Sequence, residues 1–135
     1  MVRILWIEDE AYTDLGPYKT AMVEAGYLVD IAETAEDAFD YLNSMTYDAY
    51  IVDLLLPQKN AFKEYIEYPG IEILKKMIDE YKINSEKVIV FTVMKDKKVM
   101  EEIENIGVKR IITKGLQPIY FLKEEVDKLL QDRGE

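Results

Sequence analysis

Residues 48–57 read Asp48-Ala49-Tyr50-Ile51-Val52-Asp53-Leu54-Leu55-Leu56-Pro57, and they decide the fold. From Ala49 to Val52 every residue is apolar or aromatic. That is the pattern of a strand covered on both faces, not of one alternating between core and water. The predicted strand over 48–53 ends on Asp53. An ionised carboxylate closing an apolar strand is costly to hold alone, so Asp53 needs a partner or a chemical task.

Four more β-type runs flank this one: Val2 to Ile7, Tyr27 to Ile31, Val88 to Thr92 and Val108 to Thr113. Between them lie stretches with apolar residues at helical spacing. The first carries Leu15, Tyr18, Met22 and Ala25 and is stopped by Gly26. The second opens on Thr34-Ala35-Glu36-Asp37, a capping-box pattern, and turns Ala38 and Leu42 inward. The third is predicted over 71–81 with Leu74 and Ile78 inward, the fourth uses Val99, Ile103 and Ile106, and the fifth starts near Pro118 and buries Leu122, Val126 and Leu129. Strands alternating with helices predict an α/β class, a doubly wound, five-stranded parallel sheet with helices on both faces. Residues 1–135 read as a single domain, with no second composition block, linker or low-complexity tail. A chain of this length buries roughly two thirds of its unfolded surface.

Composition narrows the chemistry. The chain has no cysteine and no histidine. That excludes a disulfide framework, a thiolate nucleophile, a Ser-His hydrolase, a His-ligated zinc enzyme and a phosphohistidine donor. A net charge of −10 argues against nucleic-acid binding, which leans on Lys and Arg at phosphates. The apolar runs are too short to span a bilayer, and Arg3 is followed by only four apolar residues before Glu8-Asp9-Glu10, which is no signal peptide. The expectation is a soluble cytoplasmic protein with neither membrane nor nucleic-acid partner.

In doubly wound sheets ligands bind at the carboxyl ends of the strands. Those ends carry Glu8 and Asp9, then Asp53, Thr92 and Lys114. Two carboxylates about 4 Å apart repel by roughly 4 kcal/mol at an effective dielectric near 20, so a proton or a cation must sit among the three. An all-oxygen donor set suits Mg²⁺ better than zinc. Lys114 could neutralise an arriving anion and Thr92 could donate to it. A cation, an amine, a hydroxyl and one free carboxylate together suit phosphoryl transfer onto that carboxylate. Each residue also has a plainer use: acidic residues favour helix starts, threonine favours strands, and lysines commonly end on the surface. The joint pattern is what carries the signal.

That constellation resembles the receiver domain of two-component response regulators over nearly the whole chain. The resemblance implies the strand order 2-1-3-4-5. It implies Asp53 as phosphoacceptor, Thr92 as switch hydroxyl and Lys114 as the amine that pairs with the phosphoryl group. It implies Mg²⁺ on Asp9, Asp53 and the Leu55 backbone carbonyl, with Glu8 reaching it through water. A histidine kinase or phosphotransfer protein would be the donor and a separate protein the downstream target. The face of the fourth helix, fifth strand and last helix leaves room for a weak homodimer.

Several positions depart from the family pattern. Residues 58–70, with Phe62, Tyr65 and Tyr68, are longer than the family's usual loop and than most such connections. This segment is expected to pack on itself, with partner docking as the lesser reading. Gly115 follows the lysine in place of a proline, so a trans bond is expected. Ile111 replaces an aromatic switch residue, Val93 a small residue that leaves access to Asp53, and Leu55 and Met94 are apolar where the family often places the attacking water. Gly115, Ile111 and the long loop favour a second reading, a pseudo-receiver scaffold that is never phosphorylated, while the intact Glu8, Asp9, Asp53 and Lys114 disfavour it. An aspartate-nucleophile phosphohydrolase is disfavoured because Leu55 stands where its general acid belongs. A flavodoxin-like electron carrier is disfavoured because an acidic first loop repels phosphate.

Overall fold

The computed structural model describes residues 1–58, 61–115 and 117–132. Five strands, β1 (Arg3–Ile7), β2 (Leu28–Ala32), β3 (Ala49–Val52), β4 (Val88–Thr92) and β5 (Arg110–Thr113), alternate with five helices. These are α1 (Gly16–Glu24), α2 (Ala35–Ser44), α3 (Pro69–Asp79), α4 (Lys97–Ile106) and α5 (Phe121–Gln131). All strands pair in parallel, in the order β2-β1-β3-β4-β5. The expected fold is thus the observed one.

Strand side chains alternate between two cores, because successive Cβ atoms point to opposite faces. Ile4, Trp6, Ile51, Ile89 and Phe91 pack with Met22 of α1 and Leu122, Val126 and Leu129 of α5. Leu5, Ile7, Val52 and Val90 pack on the other side with Leu42, Leu74, Met77 and Ile103 of α2, α3 and α4. Both faces are covered, which is why every residue of β3 and β4 is buried and the first charged residue after β3 is Asp53, just past its end.

Local chemistry sets the ends. Thr34 caps α2 by accepting from the Asp37 amide at 3.1 Å. Asp96 caps α4 by accepting from the Lys98 and Val99 amides, and the run Lys95 to Lys98 is an exposed helix start. Gly107 stops α4 with φ +109°. Val108 closes that stop by donating to the Ile103 carbonyl at 3.3 Å, so β5 begins at Arg110 and not at Val108.

Other expectations shift by a turn or less. Helix α3 begins at Pro69, since proline at its first turn gives up no needed donor. Its buried stripe is Ile71, Ile73, Leu74 and Met77, while Ile78 lies on the flank and is half-buried. Pro118 precedes α5 and does not open it: its carbonyl accepts from Phe121 at 3.0 Å. On α1 only Met22 is fully buried, Leu15 and Tyr18 pack at the margin, and Ala25 is exposed at the helix end.

Candidate functional site

Three short backbone links carry the sheet one residue beyond its strands. Glu8 donates to the Ala32 carbonyl at 2.8 Å, Asp53 to that of Ile7 at 3.1 Å, and Lys114 to that of Thr92 at 2.9 Å. These bonds fix the strand ends against one another and bring their side chains to a common rim. Glu8 and Thr92 are fully buried there, and Asp53 is 3% exposed.

Carboxylate oxygens of Glu8, Asp9 and Asp53 lie within 4.8 Å of one another. The Lys114 amine sits between two of these groups, 2.8 Å from Asp53 Oδ2 and 2.8 Å from Glu8 Oε1. Asp53 Oδ1 also accepts from the Leu55 amide at 3.3 Å. One oxygen of the aspartate is thus tied to its own chain and the other to β5. Thr92 is brought to the same rim, where its hydroxyl accepts from the Met94 amide at 3.3 Å. Among the described residues no hydrogen bond joins Thr92 to Asp53.

The electrostatics follow from burial. Loss of water, reinforced by the neighbouring Asp53 charge, pushes Glu8 up to about 8 despite the Lys114 contact. Burial pulls the Lys114 amine down, but its hydrogen bonds to Asp53 and Glu8 outweigh that and leave it raised. The amine therefore stays charged. One ammonium cannot balance three carboxylates, and Glu8 holds a proton near neutral pH. Hard oxygen donors this close together, and short of positive charge, fit a hard divalent cation such as Mg²⁺.

Two participants were not singled out from the sequence. Glu10 places Oε2 3.9 Å from the Lys114 amine, and its own amide donates to Glu8 Oε2 at 3.3 Å. Phe91 lies beneath the amine, 5.7 Å from ring centroid to Nζ. Glu10 sits in the quoted acidic triplet but past the strand end. Phe91 reads as core until Lys114 is seen crossing over it.

The departures from the family pattern can now be located. The bond from Lys114 to Gly115 is trans, as expected, and Gly115 takes φ +85°, a value that suits glycine. Ile111 is half-buried against the α2–α3–α4 core. Val93 is 55% exposed on the rim. In the long loop, Phe62 meets Phe39 edge-on at 5.9 Å, and Ala61 and Tyr68 pack on the same core. Gln58 clasps the far side, donating to the Glu64 carbonyl at 2.8 Å and accepting from Ile66 at 2.9 Å. Glu36 at the start of α2 accepts from the Ala61 amide at 2.6 Å. Ala61, Phe62, Ile66 and Tyr68 of the described loop are partly buried, whereas Lys63, Glu64 and Glu67 face solvent and Tyr65 is 84% exposed.

A parallel α/β sheet with an acidic, lysine-bridged crown at its carboxyl edge defines a narrow class, and comparison with known proteins identifies it. The sequence matches the response regulator receiver domain family over residues 4–124. Its fold is similar to that of a two-component response regulator from Clostridium difficile, at TM-score 0.80, 18% identity and full coverage of both chains. It is also similar to a CheY-like response regulator receiver domain protein from Methanospirillum hungatei JF-1, at TM-score 0.77 and 23% identity over 99% of this chain and 98% of that one. A receiver domain from Francisella is similar at TM-score 0.76 and 22% identity, over 98% of this chain and 99% of that one. No curated protein matches the chain significantly. The chain belongs to the response regulator receiver domain family of two-component signalling. Among its described residues no helix is long and apolar enough to cross a membrane.

Proposed function

We propose that this receiver, a single domain over residues 1–135, accepts a phosphoryl group on Asp53 and passes the signal to a separate protein. The observation that carries the reading is Asp53 itself: a 3% exposed carboxylate at the end of β3, with Oδ2 held 2.8 Å from the Lys114 amine. A partner kinase or phosphotransfer protein supplies the group as phosphohistidine. An Asp53 oxygen attacks phosphorus as the P–N bond breaks, and the departing imidazole nitrogen keeps the electron pair and takes a proton.

Lys114 pairs with the incoming phosphoryl oxygens, and the Thr92 hydroxyl, whose hydrogen is not used in accepting from the Met94 amide, donates to one of them. Glu8 and Asp9 contribute charge beside the reacting oxygen. Mg²⁺ held by Asp9, Asp53 and the Leu55 backbone carbonyl, with Glu8 acting through water, supplies charge neutralisation at the phosphoryl group when bound. The scaffold reading draws its support from Gly115 and Ile111. The direct contact between Lys114 and Asp53 speaks against it, because the amine reaches the carboxylate without the family's proline.

Borohydride trapping after treatment with acetyl phosphate and Mg²⁺ tests the proposal. Reduction of an aspartyl phosphate leaves homoserine, and peptide mapping should find it at position 53 alone. Homoserine at another aspartate would overturn Asp53 as the acceptor, and homoserine at none would favour the scaffold.

A further inference from the structure

Helix α3 meets the end of β3 at unusually short range, and the contact falls on Gly70. A Cβ built on Gly70 would lie 2.1 Å from the Asp53 carbonyl oxygen, 2.5 Å from Leu54 Cα and 2.8 Å from the Asp53 carbonyl carbon. All three obstacles are backbone, so no rotamer change relieves them. The glycine is not there for conformational freedom, since among the described residues the positive-φ glycines are Gly26, Gly107 and Gly115. It is there for space. Its amide donates to the Leu54 carbonyl at 3.0 Å, tying the helix to the strand at the point of closest approach.

We infer that Gly70 is a positioning residue for the phosphoacceptor: its missing side chain lets α3 seat against the Asp53–Leu54 peptide and so sets the aim of the Asp53 carboxylate. This rests on the reading of Asp53 as the acceptor. The carboxylate has little slack of its own, with Oδ1 on the Leu55 amide and Oδ2 on Lys114. Displacing its backbone therefore displaces the reacting oxygen relative to Lys114 and Glu8. Ordinary contact distance for an added methyl requires the strand end and the helix to part by more than about 1 Å, and a misplacement of about 1 Å can already cost on the order of 10²-fold in rate. Helices tolerate glycine poorly in their interiors, so a Pro-Gly pair opening α3 was the sequence signal for this contact.

The test compares Gly70→Ala with Gly26→Ala. Gly26 has φ +92° and nothing within 4 Å of a built Cβ, so alanine there strains the backbone far from the site. Phosphorylation by acetyl phosphate with Mg²⁺ is followed by intact mass across donor concentrations. Gly70→Ala is expected to lower the limiting rate at least tenfold, whereas Gly26→Ala loses thermal stability and keeps the wild-type rate. Equal limiting rates for Gly70→Ala and wild type would overturn the inference, as would an equal fall in both variants.

A wild type that takes up no phosphoryl group would count against the Asp53 reading. Gly70 would then be judged by amide resonances, with those of Asp53 and Leu55 expected to move in Gly70→Ala and to stay put in Gly26→Ala. Unmoved resonances refute the inference. Should Gly70→Ala fail to fold, Pro69→Ala loosens the seat of α3 without adding bulk. A severalfold slower transfer supports the inference, and an unchanged rate contradicts it.

Discussion

The Lys114 amine lies 2.8 Å from Asp53 Oδ2 although glycine follows the lysine. The strand register explains how. Thr113 pairs with Thr92 across β4 and β5, and the next amide, that of Lys114, bonds the Thr92 carbonyl. The lysine is aimed before the chain reaches Gly115, so the turn that follows is free to differ. Removing the amine leaves Glu8 and Asp53 buried together without compensation. Lys114→Met is expected to cost roughly 3 kcal/mol in metal-free urea unfolding, with part of the loss recovered on adding Mg²⁺. A deficit that Mg²⁺ does not narrow would mean that no cation binds beside Asp53.

The raised pKa of Glu8 makes stability depend on pH in a stated direction. Its folded value is about 8 against an ordinary 4.5, so the folded state holds this proton more tightly than the unfolded chain. The associated stability is fully present below about 4.5 and is lost as pH rises through about 8. In EDTA the melting temperature should fall across that window, corresponding to a few kcal/mol by linkage. Glu8→Gln should flatten the slope and Mg²⁺ should offset it. A metal-free protein whose stability rises between pH 5 and 8 would contradict this picture.

The sheet was legible because its strands are unusually plain. Val88 to Thr92 is apolar to its last residue, and the strand occupies those same positions. Strand ends on a parallel sheet converge by geometry, so Glu8, Asp9, Asp53, Thr92 and Lys114 could be grouped without coordinates. What escaped was set by tertiary contact. The stop of α4 takes up Val108, the turn at Pro118 delays α5, and Tyr27 precedes β2 because its amide is used on the Met22 carbonyl at the end of α1. Gly70 escaped for the same reason: the Pro-Gly pair marks a helix start, but which backbone the glycine meets is decided only by the tertiary fold.

Loop residues 61–68 should separate cleanly by burial. Phe62 packs edge-on against Phe39, and Phe62→Ala is expected to cost about 2 kcal/mol in chemical denaturation, less than a fully buried phenylalanine. Tyr65 stands 84% exposed, and Tyr65→Ala should change stability by no more than about 0.5 kcal/mol. A large loss at Tyr65 would mean that the loop packs differently.

Leu55 and Met94 flank the site with side chains that cannot orient a hydrolytic water. Leu55 is 36% exposed and Met94 is half-buried, and neither carries a strong donor or acceptor. The phosphorylated protein is expected to persist for minutes or longer once donor is removed. Leu55→Asn or Met94→Glu should shorten that lifetime severalfold. A wild-type lifetime of seconds, little changed in either variant, would remove this explanation.

Phosphorylation of Asp53 is the claim on which the rest depends, and intact mass spectrometry tests it most directly. Incubated with acetyl phosphate and Mg²⁺, the wild type should gain the mass of one phosphoryl group. Asp53→Asn should gain none, and neither should the wild type in EDTA. Equal mass gain in the Asp53→Asn variant, or no gain in the wild type from acetyl phosphate or from a phosphohistidine donor, would contradict the account.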